Sequence, residues 1–158
     1  PYAVLILGSA HTSKCWPTER FAAIARRLAA EYGFTIIAAG SKSEQSLAQA
    51  VQQKAQIPMV SLAGQTSIPE LVALLKGARL VLSNDTGPGH IAAAMDVPTV
   101  VIFGHTNPAR VGPYGRPYWV AAVNAFGRGT AIENHDPAYA ITQVTETMVW
   151  DTINGVLR

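Results

Sequence analysis

A chain of 158 residues, 49% apolar and 14% charged, is long enough for one domain with a substantial core and too apolar to be disordered. A formal net charge of +2 with no lysine- or arginine-rich run leaves no footprint for nucleic acid. No apolar stretch reaches the roughly 18 residues that span a bilayer, and a lone cysteine, Cys15, excludes an internal disulfide and points to a reducing compartment.

The chain opens on Pro1-Tyr2-Ala3-Val4, already inside an apolar run and without an initiator methionine, so a domain of a longer protein is expected. Tyr2 to Leu7 does not alternate between apolar and polar, which predicts a parallel strand buried on both faces. Gly8 to Trp16 is a polar loop. A helix then begins at Pro17 or Thr18, with Phe21, Ile24, Ala25, Leu28 and Tyr32 on one face and Gly33 as its stop. Phe34 to Ala39 reads as a second strand. Ser41 and Glu44 fit a capping box for a helix carrying Leu47, Ala48, Val51 and Ala55. Pro58 to Leu62 is a short third strand, and Ser67 with Glu70 opens the next helix, which ends at Gly77.

The fourth strand, Leu80 to Ser83, runs straight into Asn84-Asp85-Thr86-Gly87-Pro88-Gly89-His90 and an alanine-rich helix. Pro88 suits a first helical turn, and Asp85 and Thr86 are natural capping residues before it. Such a strand–turn–helix unit aims unpaired N–H groups and the positive end of a helix dipole at one spot, which favours phosphate. Thr99 to Phe103 is a fifth strand. His105 to Pro117 is read as loop, Tyr118 to Val123 as a sixth strand, and Val149 to Leu157 as a closing amphipathic helix. Asn124 to Tyr139 has no period from which an element can be read.

Alternating strands and helices imply βαβ units and an α/β, doubly wound, Rossmann-like parallel sheet. Six strands fit the order 3-2-1-4-5-6, with ligands expected outside the carboxyl ends of the first and fourth strands. That rule brings the loop 8–16 and the loop 84–90 to one crevice. Lys14, Ser9, Thr12 and Ser13 would then face phosphate. Asp85 would accept from sugar hydroxyls or cap the helix, and His90 would donate to a phosphate oxygen or pack. Glu44 follows the second strand, where this fold commonly holds a ribose, although a capping box alone accounts for it.

The first loop approaches a P-loop but lacks the glycine before its lysine, and no Gly-x-Gly-x-x-Gly fingerprint exists. No Asp-x-Asp pair occurs, and His11, His90, His105 and His135 lack metal-ligand spacing, so neither a metal nor a cofactor is expected. There is no serine–histidine–acid arrangement or nucleophile elbow. No general base stands out, and Glu133, His135 and Asp136 lie in the segment without a reading.

Ser83-Asn84-Asp85-Thr86-Gly87-Pro88-Gly89-His90-Ile91-Ala92-Ala93-Ala94 strongly resembles the signature of glycosyltransferase family 9, the heptosyltransferases of lipopolysaccharide core synthesis. Gly8-Ser9-Ala10 with Lys14, Trp16 and Pro17 is similar to the family's first loop. Phe103-Gly104, Thr106, Pro108 and Gly112-Pro113 are similar to a later one. Gly89 and His105 depart from the family's commoner larger residue and proline. The resemblance implies the C-terminal, nucleotide-sugar-binding half of a GT-B architecture, with the N-terminal acceptor domain and its aspartate base outside residues 1–158. It implies an ADP-sugar donor, ADP-heptose as the typical one, held without metal: Thr86 and Gly87 on the diphosphate with His90 close by, Asp85 on the sugar, Lys14 and Ser9 at the phosphate–sugar junction, Glu44 on the ribose and Thr66 near adenine.

An inverting glycosyltransferase acting on a lipid-linked oligosaccharide, cytoplasmic or peripheral at the inner face of a bacterial inner membrane, is therefore expected, with the isolated domain inactive. A nucleotide-sugar epimerase, a dinucleotide oxidoreductase and a nucleotide-binding module without chemistry are the alternatives.

Overall fold

The computed structural model describes residues 1–158. Six parallel strands form one sheet: β1 (Tyr2–Ile6), β2 (Thr35–Ala39), β3 (Met59–Ser61), β4 (Leu80–Asn84), β5 (Thr99–Ile102) and β6 (Val120–Ala121). Their order is β3-β2-β1-β4-β5-β6, the doubly wound order expected, with the switch between β1 and β4. Leu5 pairs with Ala38 on one side and Leu82 on the other, so β1 is the central strand.

Burial on both faces explains the unbroken apolar run of β1. Ala3, Leu5 and Leu7 point into a core cluster of 25 residues, while Val4 and Ile6 point into one of 8 on the opposite face. The larger cluster is roofed by α1 (Thr18–Tyr32), α2 (Gln45–Ala55) and α6 (Glu146–Val156), which supply Phe21, Ile24, Leu28, Val51, Trp150 and Ile153. The smaller lies under α3 (Ile68–Lys76) and α4 (Gly87–Ala94), through Leu75 and Ala92. Small side chains of α4 let that helix sit close on the sheet; Gly89 touches Ser83 so closely that a Cβ there would lie 2.6 Å from its hydroxyl oxygen.

Both capping boxes form, Ser41 with Glu44 and Ser67 with Glu70, and Gly33 ends α1 in the left-handed conformation at φ +66°. The chain departs from expectation after β5. The stretch 105–117 contains a short helix, α5 (Pro108–Val111), capped by the Asn107 side chain. The sixth strand is two residues long instead of six, because Pro117 opens a 3-10 turn that consumes Tyr118 and Trp119. The segment 124–139 is irregular and is tied back by an isolated bridge between Thr106 and Glu133. No helix is long and apolar enough to cross a membrane.

Candidate nucleotide-sugar site

The carboxyl ends of β1, β2 and β4 surround a cleft of about 320 Å³ lined by Ser9, Gly40, Ser41, Glu44, Thr86 and Pro88 among others. Asn84, the last residue of β4, is fully buried between the loops that border this cleft. The Asn84 amide accepts from Trp16 N–H at 3.0 Å and donates to the Leu7 carbonyl at 2.8 Å. One side chain thus fixes both ends of the loop after β1 against the turn after β4. Trp16 extends the tie, since its indole N–H donates to the Val144 carbonyl at 2.8 Å, just before α6.

Beside Asn84, Asp85 gathers two donors from different elements. Lys14 Nζ lies 3.2 Å from one carboxylate oxygen and His90 Nε2 lies 3.0 Å from the other. The Asp85 side chain is only 10% exposed. Burial alone would raise its pKa, but hydrogen bonds from His90 and Lys14, with the charge they carry, outweigh that and hold it below the usual aspartate value. The His90 ring also meets Phe103 edge-on, with centroids 6.3 Å apart.

This arrangement corrects the capping role considered for Asp85. Thr86 occupies the N-cap of α4 with extended backbone, yet no side chain caps the helix, and the two Asp85 oxygens meet Lys14 and His90 instead. The backbone N–H groups of Thr86 and Gly87 have no partner within the chain. Pro88 has no N–H, and Gly89 and His90 already donate to the Thr86 carbonyl. Two adjacent donors, one hydroxyl and a helix dipole therefore converge where Thr86 faces the cleft. Lys14 does not stand across the crevice from Asp85 but touches it, so an anion would meet a lysine whose charge is already partly balanced.

Glu44 serves more than the cap. Its carboxylate accepts from Ser41 N–H and lies over Gly8 and Gly40, where a Cβ on Gly8 would overlap it outright. Those glycines are the space the carboxylate occupies at the cleft wall. Of the residues singled out from the sequence, Ser9, Glu44 and Thr86 line the cleft, and Gly87 follows at the helix start. Lys14, Asp85 and His90 form one contact cluster beside it. Thr66 is not among the lining residues; it lies in the loop after β3, next to the cap of α3.

Asn84 went unassigned in the sequence, although a polar residue at the end of an apolar strand was the available signal. Of the stretch 104–135, the sequence offers only the loop likeness at Gly104, Thr106, Pro108 and Gly112-Pro113, and not the contacts that hold it as a wall. There Arg128 is buried and donates to the carbonyls of Gly104, Thr106 and Val123, and Asn107 donates to those of Gly129 and Ala131.

The model of Glycosyltransferase family 9 (heptosyltransferase) matches residues 1–138. Lipopolysaccharide heptosyltransferase 1 of Pseudomonas aeruginosa is 39% identical over 121 residues, 73% of this chain and 32% of that protein. Lipooligosaccharide heptosyltransferase 2 of Haemophilus ducreyi is 36% identical over 110 residues, 66% of this chain and 31% of that protein. The chain thus spans about a third of the length of the curated relatives it matches. Among solved structures, the Escherichia coli heptosyltransferase WaaC with ADP superposes with a TM-score of 0.72 at 25% identity, covering 98% of this chain and 44% of that one. The E. coli ADP-heptose lps heptosyltransferase II gives a TM-score of 0.80 at 22% identity, covering 99% of this chain and 46% of that one, a likeness of fold. The chain belongs to glycosyltransferase family 9.

Proposed function

We propose that this chain is the donor-binding domain of an inverting, metal-independent heptosyltransferase in lipopolysaccharide core synthesis, and that its ligand is an ADP-sugar, ADP-heptose first among them. The observation that carries this reading is the convergence of the free N–H groups of Thr86 and Gly87 with the Lys14–Asp85–His90 cluster at the switch point. Relatives named as lipopolysaccharide heptosyltransferases, one of them solved with ADP, supply the nucleotide and the sugar class.

In this reading the diphosphate sits on the Thr86 and Gly87 N–H groups and the Ser9 hydroxyl, Glu44 receives the ribose hydroxyls, and adenine extends toward Thr66. Asp85 accepts from the sugar. Lys14, released in part from Asp85, and His90 neutralise charge on the departing diphosphate, where preorganised donors are worth most. The base that activates the acceptor hydroxyl comes from a second domain, which also binds a lipid-linked oligosaccharide at the cytoplasmic face of the membrane.

Calorimetric titration in the presence of chelator tests this. ADP should bind more tightly than UDP or NAD, and adding metal should not help. Lys14→Ala should lose about 1.5–3 kcal/mol, one to two decades in affinity, for ADP and ADP-heptose alike, and the loss should shrink as salt rises. Asp85→Ala should weaken ADP-heptose while leaving ADP unchanged or tighter, since it removes a carboxylate and frees Lys14. A preference for UDP or NAD would overturn the reading.

A further inference from the structure

Beyond the Lys14–Asp85 ion pair lies a second concavity of about 230 Å³ whose lining contains no hydrophobic residue. Three segments distant in sequence build it: Ser13 and Lys14 after β1, His105 and Thr106 after β5, and Glu133 and His135 from the irregular segment. The last two segments are joined by firm backbone contacts. Asn107 N–H donates to the Ile132 carbonyl at 2.7 Å and Asn134 N–H to the His105 carbonyl at 2.9 Å. Lys14 lines this pocket and pairs with Asp85, whose chain neighbour Thr86 lines the first cleft, so the ion pair links residues that border the two cavities.

The chemistry of the wall selects among ligands. His105 Nδ1 lies 3.0 Å from the Asn134 carbonyl, which can only accept, so that nitrogen carries the proton and Nε2 of the neutral ring is an acceptor. Glu133 gives one carboxylate oxygen to His135 Nε2 at 3.2 Å and keeps the other free. Ser13 and Thr106 add hydroxyls, and Lys14 adds donors. Lys14 is paired with Asp85, and Glu133 brings a negative charge of its own beside the imidazoles of His11, His105 and His135. Intermixed donors and acceptors, all from polar residues, match a ring carrying several hydroxyl groups, each of which both donates and accepts.

We propose that this pocket is a subsite for the hydroxylated sugar ring of the donor, and that Glu133, His105 and His135 select which sugar is held. The assignment rests on the nucleotide reading above and goes further: it places sugar selectivity on the 105–135 wall in addition to Asp85.

Glu133 and His135 are exposed at the rim, with side-chain exposures of 53% and 75%, and the bridge from Glu133 to Thr106 is made by backbone, so truncating either side chain leaves the fold intact. The purified chain is titrated with ADP and with ADP-heptose. Glu133→Ala should weaken ADP-heptose roughly tenfold, the effect of one hydrogen bond to a charged acceptor, while ADP changes less than about twofold. Glu133→Gln, which still accepts, should recover part of the loss. The imidazole proton resonances of His105 and His135 should shift on adding ADP-heptose but not on adding ADP or sodium acetate. If ADP binds and Glu133→Ala affects both ligands equally or neither, the subsite is overturned alone. If the imidazoles respond to acetate, the pocket is an anion site and the proposal falls. If ADP itself does not bind, the nucleotide reading falls and takes this one with it.

Discussion

Asn84 and Arg128 each hold irregular backbone beside the cleft, one with a neutral amide and the other with a guanidinium. Asn84 is fully buried and meets one donor and one acceptor, Trp16 N–H and the Leu7 carbonyl, so every bond it makes is irreplaceable by water. Arg128 is 8% exposed, stacks on the Tyr139 ring at 4.3 Å, and serves carbonyls only. Of the three carbonyls that arginine serves, Gly104 and Thr106 are buried and Val123 is half-buried, so the last can turn to solvent; the N–H and the carbonyl that Asn84 serves are both in the core. The two regions are thus fixed with different rigour: the loop after β1 is tied wholly within the core, and the 104–135 wall partly at its edge, through Val123.

The largest expected effect tests the region tied within the core. Asn84→Ala strands two buried backbone groups and should cost about 2–4 kcal/mol. Thermal unfolding should show a fall in Tm of roughly 5–15 °C for a chain of this size. A change of a degree or two would mean that water enters and that the two sides are alike. Next comes Gly89→Ala, where the new Cβ meets Ser83 Oγ at 2.6 Å and Ser83 Cβ at 2.7 Å. That overpacking should cost about 1–3 kcal/mol in denaturant unfolding, and Ser83→Gly in the same chain should recover most of it.

Arg128→Met should cost less, about 1–2 kcal/mol, because the half-buried Val123 carbonyl becomes hydrated and the methionine still fills the space beside Tyr139. Its signature is local: amide hydrogen exchange should quicken in residues 104–107 and 123–135 while the sheet stays protected. Uniform loss of protection would erase the distinction drawn here. The smallest effect is on pH dependence. Asp85 has a folded-state pKa below its unfolded value, so its contribution is present above the ordinary aspartate value and is lost as pH falls through the depressed one. Asp85→Asn should therefore flatten the acid limb of the stability–pH curve and lower stability above about pH 5, where the contribution of the charged carboxylate is fully present.

The same contrast separates what the sequence discloses from what it hides. Strand order, both capping boxes, Gly33 and the meeting of loops 8–16 and 84–90 follow from local patterns and one topological rule, and all of these form. The cluster of Lys14 with Asp85 and His90 needed more: that the two loops are neighbours was legible, but that the lysine reaches the carboxylate and displaces it from a capping role depends on side-chain reach across the sheet. Residues 104–135 were not legible because nothing periodic holds them. Their order comes from Arg128, Asn107 and a single backbone bridge, contacts that leave no spacing to read.

Glu44 and the two glycines beneath it cannot drift independently. Any side chain at Gly8 would expel the carboxylate, and a shorter residue at position 44 would leave an unfilled notch above Gly8 and Gly40. Because Glu44 is half-exposed and flexible, a side chain at Gly8 would turn its carboxylate away from Ser41 N–H, so the capping box and this wall of the cleft change together.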